Sequence, residues 1–176
     1  MNLPNKLTML RIIAIPVFIV VLMLGFRYAA TIIFILAAAT DMLDGHIARK
    51  HNLVSNFGKL MDPLADKLLV MAALVCMVEL GDVAAWMVVL ILAREFAVTG
   101  LRQIAVEQGL VIAAGTTGKI KTITQMIAIP LLLLNNWPFN FTGIPVDQIF
   151  LWIAVVMTVV SGTEYFVKNK HLLSMD

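Results

Sequence analysis

Six apolar segments, separated by short polar connections, fill nearly all of this 176-residue chain. They cover roughly 9–26, 28–49, 60–80, 83–104, 121–134 and 148–166, the fifth extending back toward Thr117. A helix needs about 20 mostly apolar residues to cross a bilayer, so each segment approaches the length of a span. Charged residues are 14% of the chain and hydrophobic residues 61%, whereas an ordinary soluble domain carries about 25% charged residues. The pattern predicts an all-α integral membrane bundle of six transmembrane helices. It leaves room for a single domain over 1–176 and none for a separate extramembrane domain.

The first apolar run is long enough to span and ends without a small-residue cleavage site, so no cleavable signal peptide is expected. Cys76 is the only cysteine and has no partner for an intrachain disulfide. A net charge of +2 gives no basis for nucleic-acid binding. Where the charges fall says more. Twelve of the 13 Lys and Arg residues lie in one set of alternating connections, and Arg27 alone lies in the other. The positive-inside rule then puts both termini on the cytoplasmic side. Trp86, Trp137 and Trp152 fall near the opposite face, as an interfacial aromatic belt would.

Against this background stand four aspartates, Asp41, Asp44, Asp62 and Asp66. A carboxylate at a bilayer centre costs about 2.5–3.5 kcal/mol on the insertion scale, so four without compensation approach about 10 kcal/mol. Asp41 and Asp44 are spaced i, i+3 near the end of the second segment. Asp62 and Asp66 are spaced i, i+4 near the start of the third. Either spacing puts both side chains on one helical face. Gly45 and Gly58 allow close approach of a ligand, and Pro63 suits the first turn of a helix. Salt bridges to neighbouring basic residues would account for one such acid more readily than for four. All-oxygen clusters suit hard divalent cations, and metal-assisted chemistry on a phosphate ester is the expectation.

The frame Asp41-x2-Asp44-Gly45-x2-Ala48-Arg49-x8-Gly58-x3-Asp62-x3-Asp66 resembles the signature of the CDP-alcohol phosphatidyltransferase family at all eight positions. Six membrane helices are also that family's topology, so the resemblance covers essentially the whole chain. It implies that Asp41, Asp44, Asp62 and Asp66 bind metal, Mg²⁺ or Mn²⁺ and two ions. It also implies that Asp66 is the general base. Gly45, Ala48, Arg49 and Gly58 would line the cytidine diphosphate site. By resemblance, the substrate is CDP-diacylglycerol or a related CDP-alcohol, the active site faces the cytoplasm of a bacterial inner membrane, and the chain forms a homodimer among membrane lipids.

The stretch Pro4-Asn5-x2-Thr8-x2-Arg11 reads as a polar cap entering the first helix, with Asn5 or Thr8 as N-cap. It also resembles the family segment placed against the nucleotide, which makes Asn5, Thr8 and Arg11 nucleotide-site candidates. Further on, Arg94 and Arg102 are separated by a little over two turns and point roughly the same way. Lys119 or Lys121 would complete a cationic pocket, while Glu95 either pairs with a nearby cation or orients that pocket. Arginine suits bidentate phosphate binding and lysine acts as a point charge, although basic helix ends also serve lipid headgroups. The string Arg94-Glu95-Phe-x-Val-Thr-Gly-Leu-Arg102 resembles the phosphatidylglycerophosphate synthase branch of the family. It implies glycerol 3-phosphate as acceptor, with Arg94, Arg102, Lys119 and Lys121 holding its phosphate.

Two alternatives remain open from the residues. One is transfer to another alcohol, such as serine, inositol or a lipid alcohol. The other is divalent-cation transport, which the clustering of all four acids at one face disfavours, since a conduction path needs sites along its length.

Overall fold

The computed structural model describes the backbone of residues 3–50, 56–113 and 115–170, and within these the side chains of 3–5, 41–50, 56–60, 62, 63 and 66 lie outside the description. Among the described residues six α-helices follow in order: α1 Leu3–Met23, α2 Arg27–Lys50, α3 Asn56–Glu79, α4 Ala85–Glu107, α5 Thr116–Leu133 and α6 Val146–Lys168. A short 3-10 turn, Phe139–Thr142, precedes α6, and there is no strand among the described residues. The chain divides into two compact units, residues 1–82 and 83–176.

In the first unit α1, α2 and α3 pack on one another. Arg11 meets Ala37 and the Phe18 ring meets Phe34 with centroids 6.1 Å apart, so α1 and α2 run antiparallel. An ion pair of 2.7 Å joins Arg27, at the start of α2, to Asp82, just past the end of α3. Hence α2 and α3 are antiparallel too. Ala30, Ala65 and Ala73 are fully buried; small residues let helix backbones approach closely where apolar solvent gives no hydrophobic drive. Tight turns close the helices. At Gly25 (φ +88°) the N–H of Phe26 reaches the Val21 carbonyl and that of Gly25 reaches Leu22. This left-handed cap is one that glycine adopts without steric cost.

In the second unit α6 packs against both α4 and α5. Trp86 near the start of α4 meets Trp152 near the start of α6, with ring centroids 5.6 Å apart. Arg102 and Tyr165 meet near the two helices' ends, so α4 and α6 run parallel. Thr117 at the start of α5 donates to Glu164 at the end of α6, which makes α5 antiparallel to α6. Asn135 (φ +50°) takes the place glycine holds elsewhere in the turn that ends α5.

Large apolar side chains face outward on every helix, among them Ile13 and Val17 on α1, Ile32 and Leu36 on α2, Val75 on α3, Phe96 on α4, Ile123 on α5 and Val156 on α6. So continuous an apolar exterior is foreign to a water-soluble monomer and fits a membrane protein. Among the described residues two stretches, Lys6–Met23 and Val146–Lys168, are long and apolar enough to cross a bilayer by composition alone, and Arg27–Thr40 is a shorter apolar run.

Three sequence expectations need correction. The first helix starts at Leu3, so neither Asn5 nor Thr8 is its N-cap. The third starts at Asn56, which places Pro63 inside the helix and not in its first turn. Finally, α4 extends to Glu107, three residues past its expected end, while α5 begins at Thr116, as its extension toward Thr117 anticipated. Helix backbone evidently continues past the apolar limits, because polar residues at an interface keep helical hydrogen bonds without having to be apolar.

Candidate functional site

The first unit carries the aspartates on two adjacent helices. Asp41 and Asp44 belong to the C-terminal half of α2, and Asp62 and Asp66 to the N-terminal half of α3. The Arg27–Asp82 pair fixes the level from which both helices can be measured. At a rise of about 1.5 Å per residue, Asp41 stands about 21 Å along α2 from Arg27, and Asp66 about 20 Å back along α3 from Glu79. By the same measure Asp44 and Asp62 both stand at about 26 Å. The backbones therefore bring the two pairs to matching levels of an antiparallel helix pair. The side chains of all four, with those of Gly45, Ala48, Arg49 and Gly58, lie outside the described residues. So does the side chain of Asn5. Among the described residues no three acids, histidines or cysteines cluster as metal ligands.

Thr8 and Arg11 are one turn apart on α1 and both are buried, at 0% and 1% exposure. Arg11 Nε donates to the carbonyl of Ala37 at 3.2 Å, and Thr40 Oγ1 donates to the same oxygen at 2.7 Å. Ala37 lies one helical turn before Asp41. A buried guanidinium on α1 thus faces the stretch of α2 that leads into the aspartate frame. Burying a charged side chain so completely is costly unless its donors are used.

In the second unit Glu95 gathers two cations on a single oxygen. Arg94 Nη1 donates to Glu95 Oε1 at 2.9 Å and Lys121 Nζ donates to it at 2.7 Å. Lys121 is only 3% exposed, whereas Lys119 is exposed. Two residues on a helix are about 200° apart, so the two lysines cannot serve the same face of α5. The Arg94 side chain passes close to α5 and α6 at two glycines: a Cβ on Gly118 would lie 3.2 Å from Nη2, and one on Gly162 would lie 3.2 Å from Cγ. Arg94 Nε is buried without a hydrogen-bond partner among the described residues. Arg102 takes a different partner, donating from Nε to Tyr165 Oη at 2.9 Å, with the guanidinium carbon 5.7 Å from the ring centroid.

The structure thus links Arg94 with Lys121 through Glu95 and links Arg102 to Tyr165, while Lys119 stands apart. Both arginines approach α6, at Gly162 and Tyr165, one turn apart. Sequence reasoning missed Tyr165, since a partner 63 residues away leaves no mark in local spacing. It offered Glu95–cation pairing as one option without finding that Lys121, 26 residues on, shares the carboxylate.

Comparison with known proteins supplies the context. The profile of the CDP-alcohol phosphatidyltransferase family matches residues 1–160. A Bacillus subtilis protein named CDP-diacylglycerol–glycerol-3-phosphate 3-phosphatidyltransferase is 50% identical, over 98% of this chain and 97% of its own length. Proteins of the same name from Rickettsia bellii and Pseudomonas fluorescens are 43% and 39% identical, each over 94% of this chain and over 93% and 88% of their own lengths. With the profile spanning both units and the relatives aligned nearly end to end, the chain belongs to the CDP-alcohol phosphatidyltransferase family.

Proposed function

We propose that this protein transfers the phosphatidyl group of CDP-diacylglycerol to sn-glycerol 3-phosphate, giving phosphatidylglycerophosphate and CMP. The observation that carries this is the 50% identity, over nearly both full lengths, to a relative bearing that activity in its name. The profile match across both units further supports one catalytic domain over 1–176.

The donor set suits a hard cation. Asp41, Asp44, Asp62 and Asp66 offer oxygen only, on helices whose backbones bring them level, and such sets favour Mg²⁺ or Mn²⁺ over softer metals. These four would hold two ions, which when bound neutralise diphosphate charge and polarise the phosphorus under attack. Asp66 takes the proton from the glycerol hydroxyl. The freed oxygen attacks the phosphorus that bears diacylglycerol, the bond to the CMP oxygen breaks, and CMP leaves. Asn5, Thr8, Arg11, Gly45, Ala48, Arg49 and Gly58 bind the cytidine diphosphate portion; the burial of Thr8 and Arg11 beside α2 supports that assignment. Arg94, Arg102 and Lys121 bind the acceptor phosphate, whereas Lys119, exposed on another face of α5, is left out of that pocket.

The six helices span a bacterial cytoplasmic membrane with both termini and the active site on the cytoplasmic side, and the protein works as a homodimer among membrane lipids. The charge sorting and the outward apolar faces support this arrangement. Purified protein given CDP-diacylglycerol, Mg²⁺ and labelled glycerol 3-phosphate should release CMP and form a phosphorylated lipid. Release with serine, inositol or a lipid alcohol alone would refute the acceptor, and no release with any alcohol would refute the enzyme.

A further inference from the structure

We propose that Glu95 is a positioning residue for the acceptor phosphate: it holds Arg94 and Lys121 together on one carboxylate oxygen. This rests on the glycerol 3-phosphate function above.

A nearly fully buried ammonium needs a counter-charge, and Glu95 supplies one to Lys121 at 2.7 Å. The same oxygen also takes Arg94 at 2.9 Å. Two cations thus share one carboxylate oxygen inside a helix bundle, where charge is weakly screened. Arg94 Nε adds a buried donor without a partner among the described residues, and buried donors are ordinarily satisfied. An anion rich in acceptor oxygens suits that donor and the two cations beside it, and a phosphomonoester is such an anion. Inositol is neutral and serine carries a balancing ammonium, so neither suits them equally well. The cluster therefore selects by charge among hydroxyl acceptors.

Glycines at two positions allow this. An alanine methyl at Gly118 or Gly162 would stand 3.2 Å from the Arg94 side chain, too tight without displacement of a neighbour. Gly162 becomes a specificity determinant through the side chain it lacks. Glu95 itself does not touch the substrate; it keeps two like charges from splaying apart, so that the acceptor finds them in place.

The test uses the full-length protein in phosphatidylcholine nanodiscs, measuring KM for each substrate and the unfolding midpoint. A charge-assisted hydrogen bond is worth about 1.5–3 kcal/mol, so E95Q should raise the KM for glycerol 3-phosphate by about tenfold or more. The KM for CDP-diacylglycerol should stay within about twofold. E95D, which restores the charge, should recover part of the loss. G162A should produce the same acceptor-specific defect without altering any charge. An unchanged acceptor KM in a folded E95Q protein, or equal rises for both substrates, would overturn the proposal. Should E95Q fail to fold, the E95Q/K121M pair removes the uncompensated ammonium. Its acceptor KM should still exceed that of K121M alone, because Arg94 has also lost the carboxylate that holds it, and a match to K121M would refute the positioning of Arg94 by Glu95. Absence of wild-type turnover with glycerol 3-phosphate would remove the functional proposal and this inference together. Normal wild-type turnover with an indifferent E95Q removes the inference alone.

Discussion

Replacing Tyr165 by phenylalanine removes one oxygen and little else. The ring is 8% exposed and packs with Val98, Leu101 and Ala105, and all of that contact survives in Phe. The cation–ring approach of 5.7 Å also survives, a contribution of about 0.5 kcal/mol at an exposed site. What disappears is the hydrogen bond of 2.9 Å from Arg102 Nε to Tyr165 Oη. Bonds to charged groups are worth about 1.5–3 kcal/mol, but Arg102 is exposed and water replaces part of the loss. A net loss of about 1 kcal/mol corresponds to about a fivefold change in an equilibrium constant. Y165F should therefore raise the KM for glycerol 3-phosphate about fivefold at saturating CDP-diacylglycerol, with an unfolding midpoint close to wild type. Steady-state CMP release, with glycerol 3-phosphate and CDP-diacylglycerol varied in turn, reads this directly. An unchanged acceptor KM would show that Tyr165 does not aim Arg102 at the acceptor, and a matching rise for both substrates would point to general disruption of α4 and α6.

Further substitutions probe the remaining assignments. Asp66→Asn should lower turnover by about a thousandfold, the middle of the range for a general base, while calorimetric CDP affinity stays near wild type; loss of affinity in parallel would make Asp66 chiefly a metal ligand. Arg11→Met keeps the volume of a buried side chain but removes its donor to Ala37. It should weaken CDP-diacylglycerol by about tenfold and leave the glycerol 3-phosphate KM unchanged, and the reverse pattern would remove Arg11 from the nucleotide site. Topology can be read by labelling. In a Cys76→Ser background, Phe141→Cys should react with a membrane-impermeant maleimide on intact cells and Val111→Cys should not. Both positions are open enough to react, at 85% and 92% exposure. The opposite pattern would invert the orientation, and labelling of both would exclude six spans.

The helices themselves were legible because each is a long apolar run and a bilayer demands such runs. Their starts were legible to within two residues for α2, α4, α5 and α6 but not for α1 and α3. The residues preceding α4, α5 and α6 are Ala84, Gly115 and Pro145, and none of them makes a side-chain capping bond. The polar start signals that mark soluble helices are therefore missing at these starts. Pro63 misled for a related reason: it suits a first turn, yet α3 already has seven residues before it.

Sequence alone determined that Asp41 and Asp44 stand at i, i+3 and Asp62 and Asp66 at i, i+4, because helical periodicity is a local property carried by spacing. It likewise determined the apolar character of the chain and the sorting of its positive charges, which depend on order along the chain. Tertiary structure decided which charges meet. That Lys121 is buried against Glu95 while Lys119 is exposed, that Arg102 rests on Tyr165, and that Gly118 and Gly162 make room for Arg94 all depend on how three helices pack. Local spacing holds no record of a neighbour 26 or 63 residues away. For a buried charge, that neighbour is what sets the energy.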